Sequence, residues 1–306
     1  MPPSIIQHQK YRWITFSRAD EEAINYLRGN FRFHSLDFED VKGESDHPKL
    51  DVYKHYLFLI AHFPFREEAG RRVQANELDI FIEENTIVTI PNARSPYLES
   101  LFQRLEHNPK LREEWFTLGP SFFCYKLLKS LYHESFKPLR NHIAGELREL
   151  DQEVFTGDDF EVVADLARVR RDVLDIKRIL GPQRFVVRDL VALNAPFVSK
   201  DMTHYFDDLR DLLDRIWSFV ENYESIVTSL SNTNESLISL HTNRVLKVVA
   251  IISVAFLPMT LITGIYGMNL AALPFGDHPG TVWGIFALIV VFMAGVFAVL
   301  KKIKWL

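Results

Sequence analysis

The chain has 306 residues, 47% of them hydrophobic, and its 40 acidic against 35 basic side chains give a formal net charge of −5. That balance disfavours nucleic acid as a partner, whose binding needs cations to neutralise phosphates. A lone Cys124 excludes an intrachain disulfide or a multi-thiolate zinc site and fits a reducing compartment.

The early residues include Gln7, His8, Gln9 and Lys10 rather than an apolar run. No cleavable signal peptide is expected, so the front of the chain stays in the cytoplasm. Residues 1–119 read as a cytoplasmic α/β domain. Residues 11–16 have strand composition, and Asp20 is placed to cap a helix that runs through Leu27. Residues 53–63 form an aromatic, apolar stretch expected to stop at Pro64. Residues 77–82 alternate, Glu84-Asn85 turns, and 86–90 return, which predicts a hairpin. Helices from Pro96 to Leu105 and beyond are expected to pack on the resulting sheet.

From Pro120 the periodicity becomes helical, and 120–199 read as a helical hairpin region. Its first run breaks at Thr156-Gly157-Asp158-Asp159, and the second, 160–180, is expected to end at Gly181-Pro182. A third run starts near Lys200 and meets neither Gly nor Pro until Pro258. Residues 201–265 are therefore expected to form one helix of roughly 65 residues, on the order of 100 Å long. Its first part, 200–247, is an amphipathic stalk.

Two apolar stretches, 248–265 and 282–300, approach the ~20 residues that a helix needs to cross ~30 Å of hydrocarbon. Arg244 and Lys247 precede the first, and the tail 301–306 supplies Lys301, Lys302 and Lys304. The connecting loop, 266–281, holds no Lys or Arg and only Asp277 and His278. By the positive-inside rule both termini are cytoplasmic and the loop is outside, as expected for a multi-pass protein of the inner (plasma) membrane.

A two-helix hairpin cannot enclose an aqueous path, so a pore would require oligomerisation. Leu246, Ala250, Ser253, Leu257, Thr260 and Gly264 recur at three- and four-residue spacing and share one face of the first span, with Asn243 near its edge. Polar levels alternating with leucine suit a narrow path that gates by dewetting. The plainer reading is that the hydroxyls bond to their own helix and the small residues help helices pack. Pro258 frees the Val254 carbonyl, and Gly264 and Gly267 permit close backbone approach. Asn269 offers a neutral amide acceptor that a hydrated hard cation contacts without losing inner waters; Mg²⁺ sheds those waters reluctantly.

Tyr266-Gly267-Met268-Asn269 in the loop of a C-terminal hairpin, Phe256-Leu257-Pro258-Met259-Thr260 before it and Lys301-Lys302-Ile303-Lys304-Trp305-Leu306 after it closely resemble the CorA family of divalent-metal transporters. His34-Ser35-Leu36-Asp37-Phe38-Glu39-Asp40 and Pro48-Lys49-Leu50-Asp51-Val52-Tyr53 resemble its cytoplasmic signature. The resemblance implies a CorA-like homopentameric funnel: an α/β cytoplasmic domain, a long stalk helix continuing into an inner ring of spans, and outer second spans. It implies no cofactor, with Mg²⁺, and sometimes Co²⁺ or Ni²⁺, as cargo driven by the membrane potential. Gly267, Met268 and Asn269 would form the outer selectivity ring, Asn243, Thr260 and Gly264 would line the path, and Leu257 would be its apolar constriction. Val249 holds a second apolar level in the family pattern, beside Leu246 on the helical face. Many members carry Met-Pro-Glu soon after the signature Asn, whereas this chain continues Leu270-Ala271-Ala272-Leu273-Pro274, which leaves Asp277 as the candidate loop acid. The related zinc branch, ZntB, usually has Val in place of Met268, and a proton-coupled Zn²⁺ transporter is the alternative. A membrane-tethered enzyme or scaffold is disfavoured by the lack of any His-Glu-x-x-His pair, phosphate loop or nucleophile elbow.

At the start of the stalk, Asp207, Asp211 and Asp214 share a face, with Asp201, His204 and Asp208 close by. In a pentamer these acids could meet a neighbour's carboxylates around Mg²⁺, which the family uses as a cytoplasmic sensor. The alternative is a solvated face in which Asp207 or Asp211 pairs with Arg210 or Arg215. Asp37, Glu39, Asp40, Glu77 and Asp79 of the front domain are candidates for the other half of such a site, and the sequence does not choose among them.

Overall fold

The computed structural model describes residues 2–43, 45, 47–66, 72–156, 159–193, 195, 197–198, 201–268 and 279–302. In chain order these form β1 (Ser4–His8), β2 (Tyr11–Thr15), α1 (Glu21–Asn30), α2 (Ser35–Lys42), β3 (Lys49–Val52), β4 (Tyr56–Arg66), β5 (Val73–Glu83) and β6 (Thr86–Pro91). The helices α3 (Pro96–His107), α4 (Pro109–Phe116), α5 (Pro120–Thr156), α6 (Asp159–Val191), α7 (Met202–Tyr266) and α8 (Pro279–Lys302) follow.

β4 is buried without a break from Tyr56 to Pro64, so both of its faces are covered. The sheet order is β1-β2-β6-β5-β4-β3, parallel only between β2 and β6. Alternate residues serve opposite layers. Phe58, Ile60, Phe81 and Val88 join Ile24, Leu27 and Phe38 of α1 and α2 in one core. On the other side Phe63 meets Tyr132 of α5 at 4.7 Å between ring centroids. Short polar residues start the small helices: Asp20 accepts from the Ala23 amide at 2.8 Å, and Ser95 and Asn108 cap α3 and α4 just ahead of Pro96 and Pro109.

Two expected breaks are not breaks. β4 runs through Pro64, in register with Ala75, to Arg66. Because β3 covers only Leu57 to Ile60, β4 is one-sided at Pro64, the setting in which a sheet tolerates proline. α6 likewise continues through Gly181-Pro182 to Val191. Gly181 lies against the Trp217 ring of α7, and Gln183 is buried, accepting from the His62 amide at 2.9 Å. Tertiary packing holds a helix that local propensity would end.

α7 is one helix of 65 residues with Pro258 inside it. Through its first half, Met202, Phe206, Leu209, Leu213, Ile216 and Val220 are buried at alternating four- and three-residue steps. That is the 3.5-residue period of a helix seated along partner helices. The chain divides into two compact units, Met1–Ser231 and Asn232–Leu306.

Candidate functional site

In the C-terminal unit, no residue of α7 from 235 to 266 is buried. The half-buried positions Lys247, Ile251, Ala255, Pro258, Met259 and Ile262 fall on one stripe of the helix. That stripe is turned to α8: Ile251, Ala255 and Pro258 line an apolar cleft of about 760 Å³ whose other wall is Val290, Met293 and Phe297.

Asn243, Leu246, Ser253, Leu257, Thr260 and Gly264 lie on the opposite side and are exposed, Leu246 by 59% and Leu257 by 67%. Of the face expected to line a path, Ala250 alone also lines the cleft. α8 therefore leaves the striped face uncovered. Val249, Leu246, Leu257 and Leu261 make it a large apolar surface, which a lone chain in water would not keep open.

The hydroxyls on this helix donate to their own backbone. Ser253 Oγ reaches the Val249 carbonyl at 2.9 Å, Thr260 Oγ1 that of Phe256 at 3.0 Å, and Thr263 Oγ1 that of Met259 at 2.9 Å. Spending the proton inward leaves the oxygen lone pairs outward, so each exposed hydroxyl presents an acceptor. Acceptors of this kind are chemically able to receive hydrogen bonds from the waters of a hydrated cation. Pro258 brings no N–H to the Val254 carbonyl and adds a further acceptor on the α8 side.

The end of α7 explains one glycine of the signature. The Gly267 amide donates to the Thr263 carbonyl at 2.9 Å and the Met268 amide to that of Ile265 at 3.3 Å, which tightens the last turn. A Cβ on Gly267 would sit 2.9 Å from the Thr263 oxygen, a backbone atom that cannot swing aside. Met268 is exposed, while Asn269 and Asp277 lie outside the described residues.

The stalk acids are mostly paired within the chain. Arg210 contacts Asp207 at 2.7 Å and Asp211 at 3.3 Å. Asp214 accepts from Arg184 of α6 at 2.7 Å. Asp208 accepts from Lys129 at 2.7 Å and from the Tyr125 hydroxyl at 2.8 Å, and the Lys129 bond lowers its carboxyl below the usual range. Asp201 precedes α7 and His204 is exposed on its first turn. Among the described residues no group of three His, Cys, Asp or Glu side chains is placed to hold a metal.

The front-domain acids divide by burial. Asp37 is fully buried and accepts from Tyr53 at 2.7 Å and Tyr56 at 2.6 Å; burial and this carboxylate push the Tyr53 phenol up to about 12. Glu77 is buried against His62 at 3.2 Å and accepts from the Ser45 amide. Asp79 is 1% exposed with Oδ1 unsatisfied, and burial, with Glu77 next, holds its carboxyl well above the usual range. Asp40 accepts from Lys49 at 2.6 Å. Glu39 is exposed. The sequence did not separate Glu39 from its neighbours, because its outward position follows from α2 packing on the sheet through Phe38 and Val41.

A sheet covered on both faces is followed in this chain by a very long helix that turns apolar toward its C-terminal end and by a second apolar helix. The chain belongs to the family described as CorA-like Mg²⁺ transporter protein, which matches residues 8–302. It is 26% identical, over 90% of its length and 78% of the other, to the cobalt/magnesium transport protein CorA of Thermotoga maritima. It is 28% identical to the zinc transport protein ZntB of Pectobacterium atrosepticum over 46% of this chain and 43% of that protein. The complete structure of the CorA magnesium transporter from Methanocaldococcus jannaschii superposes with a TM-score of 0.81 at 22% identity, covering 98% of this chain and 94% of that one. Membership makes this chain a divalent-metal transporter of the membrane, and the structural likeness fixes its fold.

Proposed function

We propose that five copies assemble around the striped face of α7 and form a passive, gated channel for Mg²⁺, with Co²⁺ or Ni²⁺ as further cargo. The membrane potential drives the ion through the inner (plasma) membrane, and both termini are cytoplasmic. The observation that carries this reading is the face α8 leaves open: outward hydroxyl acceptors at Ser253 and Thr260 alternate with Leu246 and Leu257. A hydrated ion donates to the acceptor levels, and the leucine level closes by dewetting. Asn269, two residues after Gly267 in the sequence, forms the outer ring with Gly267 and Met268, and Asp277 attracts cations to the mouth. Asp207, Asp211 and Asp214, with Asp201, His204 and Asp208 nearby, form a cytoplasmic sensor with a neighbour's carboxylates, Glu39 being the exposed candidate. Mg²⁺ there competes with the Arg210 and Arg184 ion pairs, which are exposed enough to be weak.

Reconstituted protein in liposomes tests the reading. Mg²⁺ uptake should follow an imposed potential without a proton gradient, and Asn269→Ala should abolish uptake while the assembly stays intact. Unchanged flux in that variant would overturn the assignment. The similarity to ZntB supports a second reading, proton-coupled Zn²⁺ transport. Flux that requires a pH gradient and prefers Zn²⁺ would decide for it.

A further inference from the structure

Between the sheet and α6 lies a cavity of about 390 Å³, within the size range of small-molecule sites. Two of the side chains that line it are themselves taken out of water, His62 of β4 at 5% exposure and Glu77 of β5 at 6%. The two residues are partners in the β4–β5 register, so they project from the same face of the sheet. Their contact uses His62 Nε2 and Glu77 Oε2 at 3.2 Å, and Glu77 Oε2 also accepts from the Ser45 amide at 2.9 Å. Among the described residues His62 Nδ1 and Glu77 Oε1 take part in no hydrogen bond. With Nε2 donating to the carboxylate, Nδ1 keeps its lone pair, and both unused atoms are acceptors. Side chains this buried are ordinarily hydrogen-bonded, and the cavity is the opening through which a donor reaches them. The α6 wall adds charge: half-buried Asp175 and exposed Arg178, one turn apart, form no hydrogen bond or ion pair among the described residues. Ile179 and Pro182 of the same helix, with Pro48 and Val73, supply apolar surface.

The carboxylates of Glu77 and Asp175 disfavour an anion as occupant. A bare metal ion lacks its ligands, because among the described residues no three His, Cys, Asp or Glu side chains are placed to hold one. What the lining complements is a cation that brings its own directed N–H donors and a short apolar body. We infer that this cavity binds a small organic ammonium compound, with the ammonium donating to Glu77 Oε1 and His62 Nδ1 and the carbon chain against Ile179 and Pro182. Two sources share that chemistry. A diamine places its second ammonium at Asp175, and a basic amino acid does the same while its carboxylate meets Arg178. Every lining residue lies in the first compact unit, so the site does not depend on the pore assignment.

Calorimetric titration of the purified full-length protein in detergent tests the site, with putrescine and L-lysine as probes. At least one of them should bind saturably, one molecule per chain, whereas glutarate, a carboxylate without an ammonium, should not. Glu77→Gln should weaken binding by about tenfold or more, because it removes the charge from the buried acceptor. Asp175→Asn leaves the His62 and Ser45 contacts of Glu77 in place and should weaken binding by about two- to fivefold. Thermal melts establish that each variant is folded before its affinity is compared. Arg178→Gln tells the two sources apart: it weakens L-lysine if the carboxylate is held there, and spares or strengthens putrescine. No saturable binding of either probe, unchanged affinity in either folded carboxylate variant, glutarate binding as tight as that of the amines, or full displacement of the amine by equimolar Mg²⁺ would overturn the site. Asn269→Ala should bind the probes as the parent does, so a failed pore assignment and a failed ammonium site give different results.

Discussion

At the scale of single residues, two positions are explained by what surrounds them. Gly267 is glycine because a side chain would meet the Thr263 carbonyl at 2.9 Å. Gly267→Ala should therefore shift the last turn of α7, at a cost of about 1–3 kcal/mol, and lower uptake in liposomes even though no charge or donor changes. Wild-type flux in that variant would refute the steric reading. Asp79 is the reverse case, a carboxyl whose surroundings disfavour its charge. Burial first, then Glu77 and Asp40, raise its folded pKa above the unfolded one. Its contribution to stability is then fully present below the ordinary aspartate range and lost as pH rises through the raised value. Asp79→Asn should stabilise the protein at pH 7–8 by about 1–3 kcal/mol and flatten the pH dependence of its melting temperature. No gain at pH 8 would count against a buried, unsatisfied carboxyl. The glycine's place in the signature was legible in the sequence. The state of Asp79 was not, because its neighbours come from α2, β3 and β5 and meet only in the fold.

At the scale of elements, α7 carries two different faces along one rod. Leu213 belongs to the buried stripe of its first half, whereas Leu257 is 67% exposed. Leu213→Ala should cost about 2–5 kcal/mol of stability by leaving a cavity. Leu257→Ala should cost the isolated chain little and instead leak ions through the assembled protein. Thermal melts and flux on both variants check the pair, and a large loss of stability with unchanged flux at Leu257 would remove it from the proposed constriction. The length of α7 was legible because its run meets no breaker before Pro258, and the span around that proline is apolar. The continuations of β4 past Pro64 and α6 past Gly181-Pro182 were not legible. A sequence shows that a residue weakens an element locally, but not that a one-sided strand position or the Trp217 ring removes the penalty.

At the scale of the whole molecule, the uncovered apolar face of α7 sets the terms. It needs lipid, water in a pore, or copies of itself, and the proposal assigns it to copies. Native mass spectrometry of the detergent-solubilised protein should give a particle of five times the 35.6 kDa chain mass. A monomer would remove the pore. By itself the sequence determined the α/β-then-helical order of the chain, the long helix and the apolar stretches, since these follow from local periodicity, charge placement and breakers. Only the tertiary structure decided which side of α7 meets α8, which acids are paired inside the chain, and that the buried Asp79 carboxyl keeps one oxygen unsatisfied. Those outcomes depend on contacts between residues far apart in sequence, and periodicity can define a helical face without saying what covers it.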